Sequence, residues 1–486
     1  MSENPYQTFL ARKSQVHGDD GFAPLWLPDF LFDFQKTLVE WALRKGRAAI
    51  FADCGMGKTP MQLVFAENVV RKTNNRVLIL TPIAVGHQTV REGQKFGIAC
   101  EQLRNGMLGR EKIIVTNYEQ LHRYSAKDFS GVICDESSIL KHFSGATQKI
   151  VTRFMTKIPY RLLCTATAAP NDYIELGTSS EALGELGHSD MLSRFFRYDD
   201  KKGFRMNDVK LARAAFHGGD YYAKLAYRIA QQLGAWRFKA HAEIPFWQWV
   251  ASWAKACRTP SDLGFADGAF VLPPLTECQH VIEPRRLADG MLFTLPAFGL
   301  QEEREERRRT LTERCEYAAT LANHGAPVIM WCQYNAEGDL LEQLIPDAVQ
   351  VKGAQSEEEK ERRIVAFLLS SARVLITKAK IAGFGLNLQR AAHVVTFCTH
   401  SYESFYQSVR RCWRFGQDKP VTVDIVLTEG ETRVMENMVR KAKASAKMFD
   451  CLLEHMQRAT RIVPGSCNGH RMQLPLWFHN GGDISS

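Results

Sequence analysis

Two stretches of the chain alternate short apolar runs with longer mixed segments. Residues 48 to 167 carry "AAIFA", "RVLILTP", "KIIVTNY", "GVICDE" and "YRLLCTAT", each of strand length and each separated from the next by room for a helix. The pattern stops near residue 175 and resumes at 327 with "PVIMWC", "AVQVKG", "RVLITK", "HVVTFC" and "VTVDIVL". Such alternation predicts parallel sheets covered by helices. The expected architecture is therefore α/β: two parallel-sheet domains with a helical, basic and aromatic insertion between them and a C-terminal helical extension. The boundaries read as an N-terminal extension over 1–27, a first sheet domain over 28–175, an inserted subdomain over 176–278, a linker helix region over 279–310, a second sheet domain over 311–430, and a C-terminal helix and tail over 431–486. In the linker region, "LQEEREERRRTLTERCEYAATLA" mixes both signs of charge at helical spacing, as a solvated helix does.

Composition narrows the class. A chain of 486 residues with 45% hydrophobic content can build two or three ordinary cores. Its apolar runs fall far short of the roughly 20 residues that a membrane helix needs, and "MSENPYQTFLARKSQ" has no signal-peptide core. The expectation is a cytoplasmic protein with no membrane partner. Twelve cysteines without a CxxC pair suit buried thiols in a reducing compartment better than a disulfide framework. Cys451, His455, Cys467 and His470 can be drawn as a zinc site, but neither spacing matches a common finger and the first pair sits in a long helical pattern, so a structural role is preferred.

Charge is more informative by place than by total. The net is +9, and residues 194 to 258 alone hold 13 Lys/Arg against 5 Asp/Glu, a difference of +8. Trp236, Trp247, Trp249 and Trp253 fall in the same interval. Cations interleaved with rings suit a polyanion surface, with Arg237 and Lys239 as candidate phosphate contacts. The same pattern also suits a small subdomain with an aromatic core and a solvated basic face, and the two readings are compatible.

The chemistry concentrates in three places. "ADCGMGKT", Ala52 to Thr59, follows one apolar strand and precedes a helix pattern with Pro60 near its start. The loop Gly55–Met56–Gly57 can close backbone N–H groups around phosphate oxygens, Lys58 can reach the β- and γ-phosphates, and Thr59 can hold magnesium. The alternative is a tight strand-to-helix turn. "GVICDESS" then supplies Asp135 as a second Mg²⁺ ligand and Glu136 to polarise an attacking water. In "FYQSVRRCWRFGQ", Gln407, Arg411 and Arg414 fall at i, i+4 and i+7, so a helix would put an amide and two guanidiniums on one face, fit to meet a γ-phosphate across a cleft.

Together "ADCGMGKT", "LTPIAVGHQ", "VTNYE", "DESS", "TATAAPND", "GFGLNLQ" and "QSVRRCWRFGQ" give the chain a resemblance, over residues 28 to about 445, to the superfamily 2 nucleic-acid motors. It is most similar to the Swi/Snf branch of DNA translocases, and within that branch it looks like the short DEAD/DEAH-box helicases of phages and prophages. The resemblance implies two RecA-like domains, the first binding ATP and the second being the helicase C-terminal domain. It makes Gln35 the adenine-side glutamine and sets Thr81, Pro82, Thr116 and Asn117 on the nucleic-acid backbone. Thr165, Ala166 and Thr167 would link the ATP site to that track. In the second domain it sets Gln333 and the loop from Gly383 to Gln389 on the same track, with Gly385 and Asn387 near the hinge of the cleft. Two motifs depart from the pattern: Ala52 stands where phosphate loops usually start with glycine, and "DESS" leaves a role for Ser138 undefined.

The function so implied is an ATP- and Mg²⁺-dependent DNA-stimulated ATPase that translocates on DNA, double-stranded for preference, with little sequence specificity. Two other readings stand beside it: a strand-separating DNA or RNA helicase, and an ATP-gated DNA-binding subunit that recruits a nuclease or a replication or defence protein.

Overall fold

The computed structural model describes residues 20–83, 85–141, 143, 145–199, 235–285, 300–382 and 387–460. The start of the N-terminal extension, residues 200–234 of the insertion, part of the linker, Gly385 and the tail with Cys467, His470, Trp477 and Phe478 lie outside the described residues.

The five apolar runs of the first half become strands of one parallel sheet. In spatial order its seven strands are Cys100–Gln102, Ile113–Asn117, Arg76–Thr81, Phe129–Asp135, Tyr160–Cys164, Arg47–Ala52 and Ala254–Cys257. The central ones are buried almost end to end, because helices cover both faces of the sheet and no position alternates to solvent. The second sheet has six strands in the order Leu275–Ile282, Val421–Thr428, His393–Phe397, Val328–Trp331, Val374–Thr377 and Ala348–Gln350, again all parallel. The expected α/β fold with two parallel-sheet domains is what the chain adopts.

Two edge strands come from regions expected to hold none. Ala254–Cys257 pairs with Ala49–Ala52, although it lies in the segment expected to stand apart as an inserted subdomain. The helix Glu243–Trp253 just before it puts Phe246, Trp247, Val250 and Trp253 into the same core as Phe51 and Leu80. Four residues, "AKAC", present no apolar run to read; the strand is specified by the sheet it joins. Leu275–Ile282 pairs over eight residues with Val421–Thr428. Being an edge strand, it tolerates Thr276, Glu277 and Gln279 at positions that face outward.

The C-terminal helix Thr432–Thr460 ties the two domains together. Val434, Met435 and Met438 at its start belong to the second domain's core, whereas Met448, Phe449, Leu452 and Met456 belong to the first domain's core. Its 29 residues span about 43 Å at the usual rise of an α-helix. Among the described residues no helix is long and apolar enough to cross a membrane. No group of three or more potential metal ligands of the His/Cys/Asp/Glu type is found there either, and His455 Nδ1 instead meets the Cys451 carbonyl of the preceding turn at 2.8 Å.

Candidate functional site

The first wall of the cleft is built by neighbours in sequence. The strand Arg47–Ala52 ends in a loop where Gly55 and Gly57 take φ of +92° and +75°, a region that strains residues with a Cβ. Gly57 has a second reason to be glycine, since a Cβ there would lie 2.3 Å from Gln35 Nε2. Gln35, in the helix Asp33–Lys45, lies against the loop: its Nε2 donates to the Met56 carbonyl at 2.9 Å, and its Oε1 accepts from the Phe32 N–H at 3.1 Å. The helix Lys58–Thr73 starts at once, so its unbonded N–H groups and the positive end of its dipole face the cleft. Lys58 Nζ donates to the Ala52 and Asp53 carbonyls at 3.0 and 3.3 Å.

Asp135 ends the strand Phe129–Asp135 beside this loop. Its Oδ1 accepts from Gln62 Nε2 at 2.7 Å, and its carbonyl accepts from the Tyr118 hydroxyl at 2.6 Å. Glu136 sits at φ +50°, a conformation that non-glycine residues rarely adopt and that clusters at functional positions. Its Oε2 receives Thr165 Oγ1 at 3.4 Å from the first domain and Gln407 Nε2 at 3.5 Å from the second. Burial pushes the Glu136 carboxyl up to about 7; Lys58 opposes the rise and Asp135 adds to it. A carboxyl poised near neutrality can take and return a proton. Burial raises Asp135 as well. For Lys58, burial acts downward, but the neighbouring Cys54, Glu136, Asp135 and Asp53 win and raise its pKa.

The second wall is built by distant partners. The helix expected to carry Gln407, Arg411 and Arg414 on one face spans Tyr402–Val409 only, so Gln407 is helical while the two arginines stand in the turns that follow. The single helical stripe is thus corrected to a helix end and a braced loop. Gln417 Nε2 lies within hydrogen-bond distance of the carbonyls of Gln389, Ala391 and Cys412, at 3.0 to 3.2 Å, and Trp413 Nε1 donates to the Pro273 carbonyl at 2.7 Å. Those bonds turn the chain away from the helix axis. Gln389, expected on the nucleic-acid track, here donates through Nε2 to the Arg414 and Phe415 carbonyls and so braces the same loop.

The two walls enclose a cleft of about 450 Å³. Gln35, Gly55, Gly57, Lys58, Thr59, Asp135 and Glu136 line it from one side, and Arg411 and Arg414 from the other. Burial and the neighbouring Arg411 lower the pKa of Arg414, so this wall is crowded with positive charge. Arg411 Nε is buried with no hydrogen-bond partner among the described residues. Such a wall gains by meeting an anion. A cradle of glycines, an ammonium, two guanidiniums, and the hydroxyl of Thr59 with the carboxylate of Asp135 as oxygen ligands together fit a magnesium-bound triphosphate.

The sequence reading missed the aromatic end of this cleft. Phe30, Phe32, Phe96, Phe270 and Phe415 line it beside Gln35. Phe415 packs on Phe270 with centroids 4.7 Å apart, Phe32 meets Phe270 at 5.0 Å, and Phe30 stacks on Phe96 at 4.5 Å. Flat apolar faces next to a glutamine amide suit a nucleobase. Phe415 stands inside the quoted arginine segment, but only the folded chain brings Phe270 to it.

The residues assigned to a nucleic-acid track are less uniform. Thr81, Thr116 and Asn117 are buried at strand ends, Pro82 follows the first of them, and their polar atoms are engaged locally: Thr81 Oγ1 donates to the Thr116 carbonyl at 3.4 Å, Thr116 Oγ1 to the Leu103 carbonyl at 2.9 Å, and Asn117 Oδ1 accepts from the Gln120 N–H at 3.1 Å. Gln333 donates its backbone N–H to Glu337 at 2.8 Å, and Asn387 is exposed and bonded to Gln389. Of Thr165, Ala166 and Thr167, the last reaches the second domain: Thr167 Oγ1 donates to Glu403 at 3.3 Å, where Lys141 also pairs, while the Thr165 hydroxyl donates to Glu136 of its own domain at 3.4 Å and Ala166 is buried. In the insertion, Trp247 and Trp253 are buried and Trp249 stacks on Phe195, so the rings form a core. Arg237 and Lys239 are half-exposed on the hairpin Phe196–Asp199/Ala235–Phe238 and beside it, and the Lys239 ammonium bonds the carbonyls that end the helix His188–Phe195.

Comparison with known proteins adds one assignment. No curated protein matches the chain. Residues 310–416, which include Gln333, Gln389, Gln407, Arg411 and Arg414, match the helicase conserved C-terminal domain, which supports a helicase-type ATPase of superfamily 2.

Proposed function

We propose that the protein is an ATP-driven motor that moves along nucleic acid, with double-stranded DNA as its track, little sequence specificity and a place in the Swi/Snf-like branch among the short phage and prophage proteins. The observation that carries the reading is the cleft itself: Lys58, Thr59, Asp135 and Glu136 of one parallel-sheet domain face Arg411 and Arg414 of the other across about 450 Å³. The branch and the track are supported by the order of the motifs.

In this reading the glycine loop and Lys58 hold the β- and γ-phosphates, while the rings and Gln35 hold the base. Thr59 and Asp135 would hold Mg²⁺, which would supply neutralisation of phosphate charge. Glu136 accepts the proton of the attacking water, and Gln407, within reach of the same carboxylate, orients it. Arg411 and Arg414 neutralise the charge that develops on the γ-phosphate. All these groups engage only when the domains are together, so ATP favours closure and loss of the γ-phosphate releases it. The Glu403 contacts to Thr167 and Lys141 lie on the same interface and offer the step a route to the strand ends that would face the track.

The deciding experiment is steady-state ATP hydrolysis with no nucleic acid, duplex DNA, single-stranded DNA and RNA. Stimulation by duplex DNA is expected. Stimulation by single strands or RNA alone would replace the translocase with a strand-separating helicase. Hydrolysis indifferent to all three would replace it with the ATP-gated subunit that recruits a nuclease or a replication or defence protein.

A further inference from the structure

The phosphate loop carries an acid where it must receive a polyanion. Asp53 follows Ala52 directly and is 8% exposed. Its Oδ1 accepts from the Cys54 N–H at 2.6 Å and from the Tyr406 hydroxyl; its Oδ2 accepts from Arg410 Nη2 at 2.7 Å. Arg410 also donates to the Cys54 carbonyl at 2.6 Å, and its side chain is 2% exposed. Tyr406 and Arg410 belong to the second domain, so both bonds cross the cleft. Arg410 lines that cleft beside Arg411 and Arg414, yet it is engaged by the loop's own acid.

A buried carboxylate next to bound phosphates opposes them strongly unless a cation neutralises it. Lys58 does not serve that purpose, because its ammonium bonds the Ala52 and Asp53 carbonyls rather than the carboxylate, and its role is toward the nucleotide. Arg410 does serve it, and only when the second domain sits against the first. We infer that Asp53 and Arg410 make triphosphate affinity conditional on domain closure: an open cleft leaves an uncompensated carboxylate in the phosphate loop, and closure covers it with the guanidinium of Arg410. Arg410 is therefore a positioning residue that acts on the nucleotide through Asp53, distinct from the two arginines that face the phosphates. This inference rests on the reading of the cleft as an ATP site.

The test is the dissociation constant of a non-hydrolysable fluorescent ATP analogue for the full chain and for Arg410→Gln, Asp53→Asn and the double variant, with thermal unfolding measured alongside. Arg410→Gln should weaken binding on the order of 30-fold, as expected when one partner of a buried pair is removed. Asp53→Asn keeps an acceptor for the Cys54 N–H and the Tyr406 hydroxyl, and should bind at least as tightly as the parent. The double variant should return to within about threefold of the parent, because with no acid to cover the arginine is dispensable. A double variant as weak as Arg410→Gln would overturn the inference and make Arg410 a direct ligand. So would an Asp53→Asn protein that folds normally and loses affinity, a result that stands even if Arg410→Gln fails to fold. A parent protein that binds no analogue would overturn the ATP-site reading itself.

Discussion

The two walls of the cleft are made in opposite ways. The phosphate-loop wall is local: a strand, a loop of five residues and a helix follow one another from Arg47 to Thr73, and each part positions the next. The arginine wall is assembled from afar, with Arg411 and Arg414 held by Gln389 and Gln417 on their own domain and by Pro273 through Trp413. A wall of the first kind tolerates change outside it and fails when its own residues change. A wall of the second kind can be disabled from residues that never meet the nucleotide.

The largest effect should come from the local wall. Lys58→Ala should reduce hydrolysis by at least about 10³-fold, since in the proposed reading it removes the ammonium that holds the β- and γ-phosphates. Nucleic-acid binding, measured by filter retention at the same salt, should stay within about threefold of the parent, because the proposed contacts to the track do not include Lys58. Comparable loss of both would mean that the loop is mainly structural. Arg414→Ala follows, with turnover lowered on the order of 10³-fold if the arginine acts on the γ-phosphate in cis. A loss below tenfold would remove that role from it and leave Arg411 as the candidate.

The same contrast explains what the sequence disclosed. "ADCGMGKT" could be read as a tight strand-to-helix loop because its parts act on near neighbours, Gly55 and Gly57 through positive φ and Lys58 through the Ala52 and Asp53 carbonyls, and the two sheets could be read because strands covered on both faces are apolar along their length. The edge strands Ala254–Cys257 and Leu275–Ile282 were hidden because one is four residues long and the other carries polar side chains on its open side. Of the stripe through Gln407, Arg411 and Arg414, the two arginines line the cleft and Gln407 reaches Glu136 on its wall, but periodicity alone continues a helix that tertiary hydrogen bonds end at Val409. The Asp53–Arg410 pair, 357 residues apart, left no trace in any local pattern. Of the two readings open for the tryptophans of the insertion, Trp247 and Trp253 follow the aromatic core, but that core is shared with the first sheet rather than being a subdomain's own.

Gln417→Ala addresses the remote wall without touching the nucleotide. Gln417 is buried and bridges three carbonyls that shape the arginine loop. Its loss should lower turnover by ten- to a hundredfold, a range that small misplacements of a catalytic group produce, while nucleotide affinity changes by less than about threefold. An equal change in both would show that the loop is held by its other bonds and that the variant acts through general destabilisation.

Phe415→Ala gives the smallest effect and separates the two walls most finely, because this ring belongs to the remote wall but packs against Phe32 and Phe270 at the aromatic end of the cleft. A ring that packs on the base contributes to binding equally before and during reaction. Its removal should therefore raise KM for ATP about tenfold, in line with the apolar area a phenylalanine buries, and leave kcat within about threefold. Should kcat fall instead with KM unchanged, Phe415 would be acting as a brace for Arg414, one residue before it, and the aromatic end would lose its claim on the base. The ratio of the two constants thus tells whether the remote wall recognises the nucleotide or only reaches its phosphates.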